Sequence, residues 1–469
     1  MDLRLNRVSR RQALIAGAAS VAGAGLASTA LGRRAGAAIR TRAGAAHPDH
    51  ARNVIFMCAD GMSTGTLTLG DSAIRRQTGA SSAWVRLWHA PGVRRAMQDT
   101  ASADSLVTDS SAAASAWGIG RRVNNGTVNF TPDNREPEPI LVTARAHGKA
   151  TGLVTTTRVT HATPAGFIAN VPDRGLEGPI AEQMQQRGVD VVLGGGRRYF
   201  PDATLAIRAA TLCTTAEELG AAPGGLSKPL LGLFKDGHAD YVIERPATQP
   251  GLEAMTRAAL DRLATGDNGF VLQVEGGRVD HAAHANDAAA LVGEQVEFDR
   301  TIRVVVDWCA GRDDTLVVIT SDHANANPGL TLYGPDGASG MERLLRGRRS
   351  IESILEEAAR PGVDAGIIDR VCALIGEHRG IEFGQRERDF MLARFRGQPT
   401  NPFAPLENWT SLLGALLANH YGVAFVSPNH TSDYVECTAF GPGSQEMPPM
   451  VLNTDLYRMM VGALDIVAG

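Results

Sequence analysis

One stretch decides the fold and the chemistry of this 469-residue chain: Phe270-Val-Leu-Gln-Val-Glu275-Gly-Gly-Arg-Val-Asp280-His281-Ala-Ala-His284. Its first half is an apolar run that ends at Glu275, which is typical of a buried strand. Its second half has a helical pattern, in which Asp280 and His284 are four residues apart and share one face. Such a face can hold a divalent cation. Taken alone, the stretch also fits a solvated helix start with a capping aspartate.

Four further apolar runs have the length and composition of buried strands, and helical patterns lie between them. They are residues 53–59, 152–157, 189–193 and 315–320. Apolar residues recur at helical spacing in 252–263 and 291–305. Strands that alternate with helices predict an α/β fold, a three-layer α/β/α sandwich with a central, mostly parallel sheet.

In sheets of this kind, ligands bind beyond the carboxyl ends of the strands. Asp60, Glu275 and the pair Asp322-His323 each stand at the end of a different apolar run. Three strands therefore deliver metal-type side chains to one edge of the sheet.

A second polar cluster, Thr108-Asp109-Ser110-Ser111, precedes an alanine-rich helical run. Asp109 or Ser110 stands at the N-terminus of that helix, where free N–H groups and the helix dipole attract anions. This position suits a serine nucleophile that attacks a phosphoryl group. An ordinary N-cap serine is the commoner arrangement when the motif is taken alone.

Two further segments carry ligand-type residues. His161-Ala-Thr163-Pro164 is followed by Arg174, and His430 lies in a short polar loop. The Thr163 hydroxyl is a hard oxygen ligand that suits Mg²⁺, and Arg174 can bind two phosphate oxygens at once. A lone arginine is more often a surface charge. The remaining histidines, His238 among them, lack comparable clusters of ligand-type residues and are interpreted as surface or core residues.

The first 45 residues predict a signal peptide, not part of the fold. Arg10-Arg11 precedes a weakly apolar run that extends to about Leu31, a pattern typical of twin-arginine export. We therefore expect a periplasmic or extracellular protein. A membrane anchor is the alternative, but the run is rich in glycine and barely long enough to span a bilayer. No later segment has the length and apolarity of a membrane span.

Residues 46–469 then form the catalytic domain. Within it, residues from about 338 to 421 are helical and more charged, which predicts an inserted helical subdomain. Ser350 and Asp364 are the predicted N-caps of two of its helices, and Gly422 is predicted to stop a third. The insertion either lies near the site as a lid or packs on the outer surface.

Composition excludes several classes of protein. A formal net charge of -4 indicates no nucleic-acid or membrane-surface partner, so an anionic substrate needs local arginine or metal. The five cysteines are scattered, odd in number and without a CxxC pair. This argues against a disulfide scaffold and against a cysteine metal site.

Taken in chain order, these segments resemble alkaline phosphatases. The resemblance rests on Asp60-Gly-Met, on Thr108-Asp109-Ser110, on His161-Ala-Thr163-Pro164 with Arg174, on Val274-Glu275-Gly with Asp280 and His284, on Asp322-His323-Ala324, and on His430-Thr431. It covers most of the chain from Asn53 onward, apart from the helical insertion. It implies hydrolysis of a broad range of phosphate monoesters, two Zn²⁺ ions and one Mg²⁺ ion. Family members are commonly homodimers.

The resemblance also implies a role for each motif residue. Ser110 is the expected nucleophile, which forms a phosphoserine, and Arg174 the expected phosphate ligand. The expected ligands are Asp280, His284 and His430 for one Zn²⁺, Asp60, Asp322 and His323 for the other, and Asp60, Thr163 and Glu275 for Mg²⁺. His161 and His281 stand where some bacterial members carry Asp and Lys. We expect them to tune the Mg²⁺ site and the phosphate site.

Two alternatives remain open at this point. One is a metal-dependent phosphodiesterase or sulfatase on the same fold. Ser110 does not lie in the modified Cys/Ser-x-Pro-x-Arg pattern of sulfatases, and diesterases often use a threonine nucleophile. The other is a catalytically silent, exported protein that binds metal or phosphate, for which an intact Ser110 would be unnecessary.

Overall fold

The computed structural model describes residues 50–200, 210–360, 362–364 and 366–466. These residues belong to one compact unit. The predicted signal peptide, residues 1–45, lies outside the described residues. Within the described ranges, no helix is both long and apolar enough to cross a bilayer.

A mixed but mostly parallel ten-stranded sheet forms the centre of the fold. The strands in chain order are β1 (Asn53–Cys58), β2 (Arg94–Asp99), β3 (Ala150–Arg158), β4 (Val191–Gly195), β5 (Thr211–Cys213), β6 (Leu230–Leu233), β7 (Phe270–Glu275), β8 (Thr315–Thr320), β9 (Ala324–Asn325), β10 (Gly329–Leu330), β11 (Val423–Ala424), β12 (His430–Thr431), β13 (Val435–Phe440) and β14 (Met450–Leu452). The order across the sheet is β14-β2-β13-β8-β1-β7-β3-β4-β6-β5. Only β13 in this sheet runs against its neighbours, β2 and β8. The five predicted strands correspond to β1, β3, β4, β7 and β8.

Helices cover both faces of the sheet, which confirms the predicted three layers. In chain order they are α1 (Thr64–Thr78), α2 (Ala83–Leu87), α3 (Ser110–Ile119), α4 (Ile140–Ala146), α5 (Ala162–Ile168), α6 (Glu177–Gln186), α7 (Ala216–Ala221), α8 (Leu252–Leu263), α9 (Arg278–His284), α10 (Ala288–Cys309), α11 (Gly334–Leu344), α12 (Ile351–Ala359), α13 (Ile367–Arg379), α14 (Gln385–Phe395), α15 (Trp409–Tyr421) and α16 (Asn453–Leu464). On one face, Phe56 of β1 packs on Trp117 of α3, with ring centroids 4.8 Å apart. On the opposite face, Phe270 of β7 packs on Trp308 of α10, with ring centroids 5.6 Å apart. Phe270 lies an odd number of residues from the position that pairs with Phe56, so the two side chains point to different faces.

Five helices, α11 to α15, occupy the region of the predicted insertion. Their apolar faces share a buried cluster with α1 and α10. Ser350 caps α12 and Gly422 ends α15 in a left-handed conformation, as expected. The prediction that Asp364 caps α13 was wrong. That helix begins at Ile367 after Gly366, and the Asp364 carboxylate instead accepts a hydrogen bond from Arg370.

Candidate active site

Four neighbouring strands, β8, β1, β7 and β3, end at the same edge of the sheet. Asp60 follows β1 by two residues, Glu275 is the last residue of β7, and Asp322 follows β8 by two residues, with His323 next to it. All four side chains are completely buried. The predicted convergence of three strands on one edge is therefore present in the structure.

A short two-stranded ribbon adds a ligand-type residue from far along the chain. β12 pairs antiparallel with β9, which places His430 opposite Asn325. The His430 ring consequently stacks on the ring of His323, with centroids 3.6 Å apart. Its Nε2 lies 3.6 Å from Oδ1 of Asp280.

The imidazoles of His284 and His430 face one another across Asp280. Their Nε2 atoms lie 3.0 Å apart, and Nε2 of His284 lies 3.3 Å from Oδ2 of Asp280. Each opposite ring nitrogen bonds to a backbone carbonyl: Nδ1 of His284 to Pro428 at 2.5 Å, and Nδ1 of His430 to Thr108 at 2.9 Å. These bonds orient both Nε2 atoms toward Asp280, the arrangement that prepares an imidazole to bind a metal.

Among the residues that the structure describes, three groups of side chains have ligand atoms that all lie within 4.8 Å of one another. They are Asp60, Asp322 and His323; Asp60, His161 and Glu275; and Asp280, His323 and His430. The first group is one of the two predicted zinc sets. The third contains Asp280 and His430 of the other predicted zinc set, together with His323. The second brings His161 close enough to be a ligand itself. The structure thus brings together all the predicted carboxylate and histidine ligands.

Within the described residues, the ion-pair partners of the buried carboxylates are imidazoles and not lysine or arginine. In the described parts of the chain, no lysine or arginine forms an ion pair with Asp60, Glu275, Asp280 or Asp322, although none is more than 4% exposed. Both carboxylate oxygens of Asp60 lie buried without a hydrogen-bond partner. Uncompensated buried charge is costly, so this donor set fits divalent cations.

The pKa values of these groups follow from the same crowding. Burial, together with the charge of Asp322, raises the pKa of Asp60 well above its ordinary value. Burial also raises the pKa of Glu275 to about 7, although the hydroxyls of Thr155 and Thr163 oppose the rise. For His430, burial and the neighbouring His323 lower the pKa to about 4, which leaves its imidazole neutral.

Local contacts hold the carboxylates in place. Oε2 of Glu275 accepts hydrogen bonds from the hydroxyls of Thr155 and Thr157 at the end of β3. Gly61 adopts a positive φ of 69° and donates its N–H to Oδ1 of Asp322 at 2.9 Å. A β-carbon at Gly61 would lie 2.5 Å from Oδ1 of Asp280, so this close approach requires glycine.

Ser110 is the first residue of α3, and Asp109 is its N-cap. The Ser110 hydroxyl lies 3.2 Å from Nε2 of His323, so it borders the cluster of carboxylates. Arg174 donates to Oδ2 of Asp109 at 2.8 Å, and its other terminal nitrogen lies 3.2 Å from Nε2 of His161. The guanidinium therefore lies between the start of α3 and the site, where an anion would meet both.

Two residues at the site have no signal of their own in the sequence. Asn325 donates to Oδ1 of Asp280 at 2.6 Å and thereby orients that carboxylate. His238, interpreted from the sequence as a surface or core residue, contacts His281 and His161 edge to face, with centroids 4.4 and 5.4 Å apart. His281 in turn accepts from Arg278, at 2.7 Å. The sequence around His238 does not match the other clusters, and the pairing of β6 beside β4 brings its loop here.

Comparisons with known proteins agree with this architecture. The family model described as alkaline phosphatase matches residues 51–349. The chain is 30% identical over 358 residues to the alkaline phosphatase of Escherichia coli, which covers 61% of this chain and 75% of that protein. It is 33% identical over 341 residues to the streptomycin-6-phosphate phosphatase of Streptomyces griseus, covering 60% and 75%. The crystal structure of Thermus thermophilus alkaline phosphatase superposes with a TM-score of 0.79 at 31% identity, covering 89% of this chain and 92% of that one.

Proposed function

We propose a reaction for this chain, which belongs to the alkaline phosphatase family and is a phosphoric monoester hydrolase. The Ser110 oxygen attacks the phosphorus of a phosphate monoester, and the alcohol leaves. Water then cleaves the bond between phosphorus and the Ser110 oxygen and releases inorganic phosphate. The observation that carries this proposal is the meeting of Ser110 with three groups of buried metal-type side chains.

The ligand sets of the proposal contain two Zn²⁺ sites and one Mg²⁺ site. They are Asp280, His284 and His430; Asp60, Asp322 and His323; and Asp60, Thr163 and Glu275. Zinc bound at such sites would supply charge stabilisation for the entering and leaving oxygens and would lower the pKa of a bound water to about 7.

The protein's own groups bind and orient the phosphoryl group. Backbone N–H groups at the start of α3 attract the anion to Ser110. Arg174 can hold two phosphate oxygens, because Asp109 and His161 fix its guanidinium at the entrance. These contacts recognise phosphate and not the alcohol, so we expect broad specificity among monoesters.

Metal analysis combined with paired substrates tests the function. The purified enzyme should contain zinc and magnesium and should hydrolyse a chromogenic phosphate monoester at least about 100-fold faster than the matching diester. A faster rate on the diester would favour the phosphodiesterase alternative. Metal binding without turnover of either substrate would favour a silent binding protein.

The His161→Asp variant tests the assignment of the Mg²⁺ site. Burial and the charge of Arg174 hold the pKa of His161 well below its usual value, so its imidazole is neutral. An added carboxylate beside Asp60 and Glu275 should tighten Mg²⁺ binding and shift the Mg²⁺ dependence of activity to lower concentration. The control is His89→Asp, which adds the same charge at an exposed position. An unchanged Mg²⁺ titration in the His161 variant would refute the assignment.

The proposal also includes the setting in which the enzyme works. Export by the twin-arginine route, removal of residues 1–45 and activity in the periplasm or outside the cell are supported by Arg10-Arg11 and the apolar run after it. The proposal of a homodimer is supported by the resemblance alone, because family members are commonly homodimers. Residues 46–469 constitute the catalytic domain of this proposal, with the helical insertion inside it.

A further inference from the structure

Asn286 links the helical insertion to the segments that carry the metal-type histidines. Asn286 is 2% exposed, and it lies two residues after the end of the helix that carries Asp280 and His284. Its backbone has a φ of 49°, a left-handed conformation that asparagine tolerates better than most residues. A residue held in such a conformation needs support from the structure around it.

The Asn286 amide joins two segments that each carry a ligand-type histidine. Its Nδ2 donates to the carbonyl of Ala283 at 3.1 Å and to the carbonyl of Ser427 at 2.9 Å. Ala283 precedes His284, and Ser427 precedes Pro428, whose carbonyl oxygen bonds to Nδ1 of His284. One amide therefore fixes the spacing between the end of α9 and the loop that leads to His430.

The insertion in turn fixes the amide. Ser411, on the first turn of α15, donates its hydroxyl to Oδ1 of Asn286 at 2.7 Å. This bond fixes the orientation of the Asn286 amide: Oδ1 faces the Ser411 hydroxyl, and Nδ2 faces the two carbonyls. Gly414, one turn on, packs so closely that a β-carbon there would lie 2.6 Å from the backbone oxygen of Asn286.

A buried ion pair anchors the insertion at the next residue. Arg379 of α13 donates to both carboxylate oxygens of Asp287, at 2.9 and 2.7 Å, and both side chains are almost completely buried. Asp287 also accepts from the backbone N–H of Ile351 at the start of α12. Three helices of the insertion, α12, α13 and α15, thus converge on residues 286 and 287.

We propose that Asn286, oriented by Ser411 of the insertion, is a positioning residue that holds His284 and His430 at the separation a shared Zn²⁺ requires. This inference rests on the proposed function, because it presumes zinc at the Asp280–His284–His430 set. Asn286 touches neither substrate nor metal and acts only through the two histidines. On this proposal, the insertion supports one metal site by orienting Asn286, and it is neither a lid nor a surface addition.

Zinc binding to the whole enzyme, titrated against a chelator of known affinity, tests the proposal. Asn286→Gly keeps the left-handed backbone accessible and removes the amide, while Ser411→Ala removes only the hydroxyl that orients it. We expect one zinc equivalent to bind about 10- to 100-fold more weakly in the first variant and about tenfold more weakly in the second. The other equivalents should keep their wild-type affinity. The control is Ser339→Ala, whose exposed hydroxyl bonds only within its own helix.

Thermal unfolding of the metal-free variants separates positioning from plain stability. The proposal expects the metal-free Ser411→Ala protein to unfold close to the wild-type temperature while its zinc affinity falls. Wild-type zinc affinity in both variants, or a weakening spread equally over every zinc equivalent, would overturn it and leave the proposed function standing. A wild-type enzyme that turns over monoesters without zinc would overturn both.

Discussion

Replacement of Ser110 by alanine should abolish the phosphoserine and reduce monoester turnover by about 10⁴-fold or more. The reason is geometric. Among the hydroxyls at the start of α3, that of Ser110 faces the cluster, 3.2 Å from Nε2 of His323. Its removal takes away the attacking oxygen and leaves every predicted metal ligand in place. Zinc and magnesium content should therefore stay at wild-type levels, as measured by elemental analysis, while trapping at low pH detects no phosphorylated protein.

Ser111→Ala is the matched control for this loss. The Ser111 hydroxyl is one residue away, fully buried, and donates to Oδ2 of Asp109 at 2.7 Å. It thus helps to hold the N-cap that also receives Arg174, and its loss should lower turnover by about tenfold at most. Near-normal turnover in Ser110→Ala, or a larger loss in Ser111→Ala, would show that a different oxygen attacks phosphorus.

The edge of the sheet that carries the site could be predicted because it depends on local patterns. Asp60, Glu275 and Asp322 each stand where an apolar run ends, and parallel strands bring such ends together whatever their order in the chain. The four apolar strands β1, β3, β7 and β8 are buried along almost their whole length, so their runs are clear in the sequence. The strand β2 was missed, since Arg94–Asp99 is charged and partly exposed.

Other parts of the site depend on contacts between distant segments. His430 reaches His323 only because β12 pairs with β9, two strands of two residues each that no periodicity reveals. Asn325 and His238 were missed for the same reason, since each contacts a partner on an element that is distant in the chain. The prediction of an N-cap at Asp364 was wrong. The local sequence pattern is that of a cap, but the Asp364 carboxylate pairs with Arg370 instead.

Replacement of Asp60 by asparagine should have opposite effects on the metal-free and the metal-loaded protein. Asp60 belongs to two of the three ligand groups. The amide should therefore lower the bound content of both zinc and magnesium and reduce turnover by about 10³-fold or more. In the metal-free protein, burial and the charge of Asp322 raise the pKa of Asp60, which means that holding this carboxyl in the fold is unfavourable. The neutral amide removes that cost, so the free energy of unfolding of the metal-free protein should rise at neutral pH.

Asp299→Asn provides the control with the opposite expectation. Asp299 is also a buried acid, but its carboxylate accepts the backbone N–H groups of Ala83 and Trp84 at 2.8 and 2.9 Å, away from the ligand groups. Burial raises the pKa of Asp299 as well, but both of its oxygens accept N–H groups, and an amide has only one acceptor oxygen to offer them. The amide should therefore leave one N–H without an acceptor, lower the stability of the metal-free protein and leave the metal content unchanged. Denaturant unfolding of both variants, with and without metal, distinguishes the two cases. A metal-free Asp60→Asn protein less stable than wild type would mean that Asp60 supports the fold itself and is not a carboxylate held in place for cations.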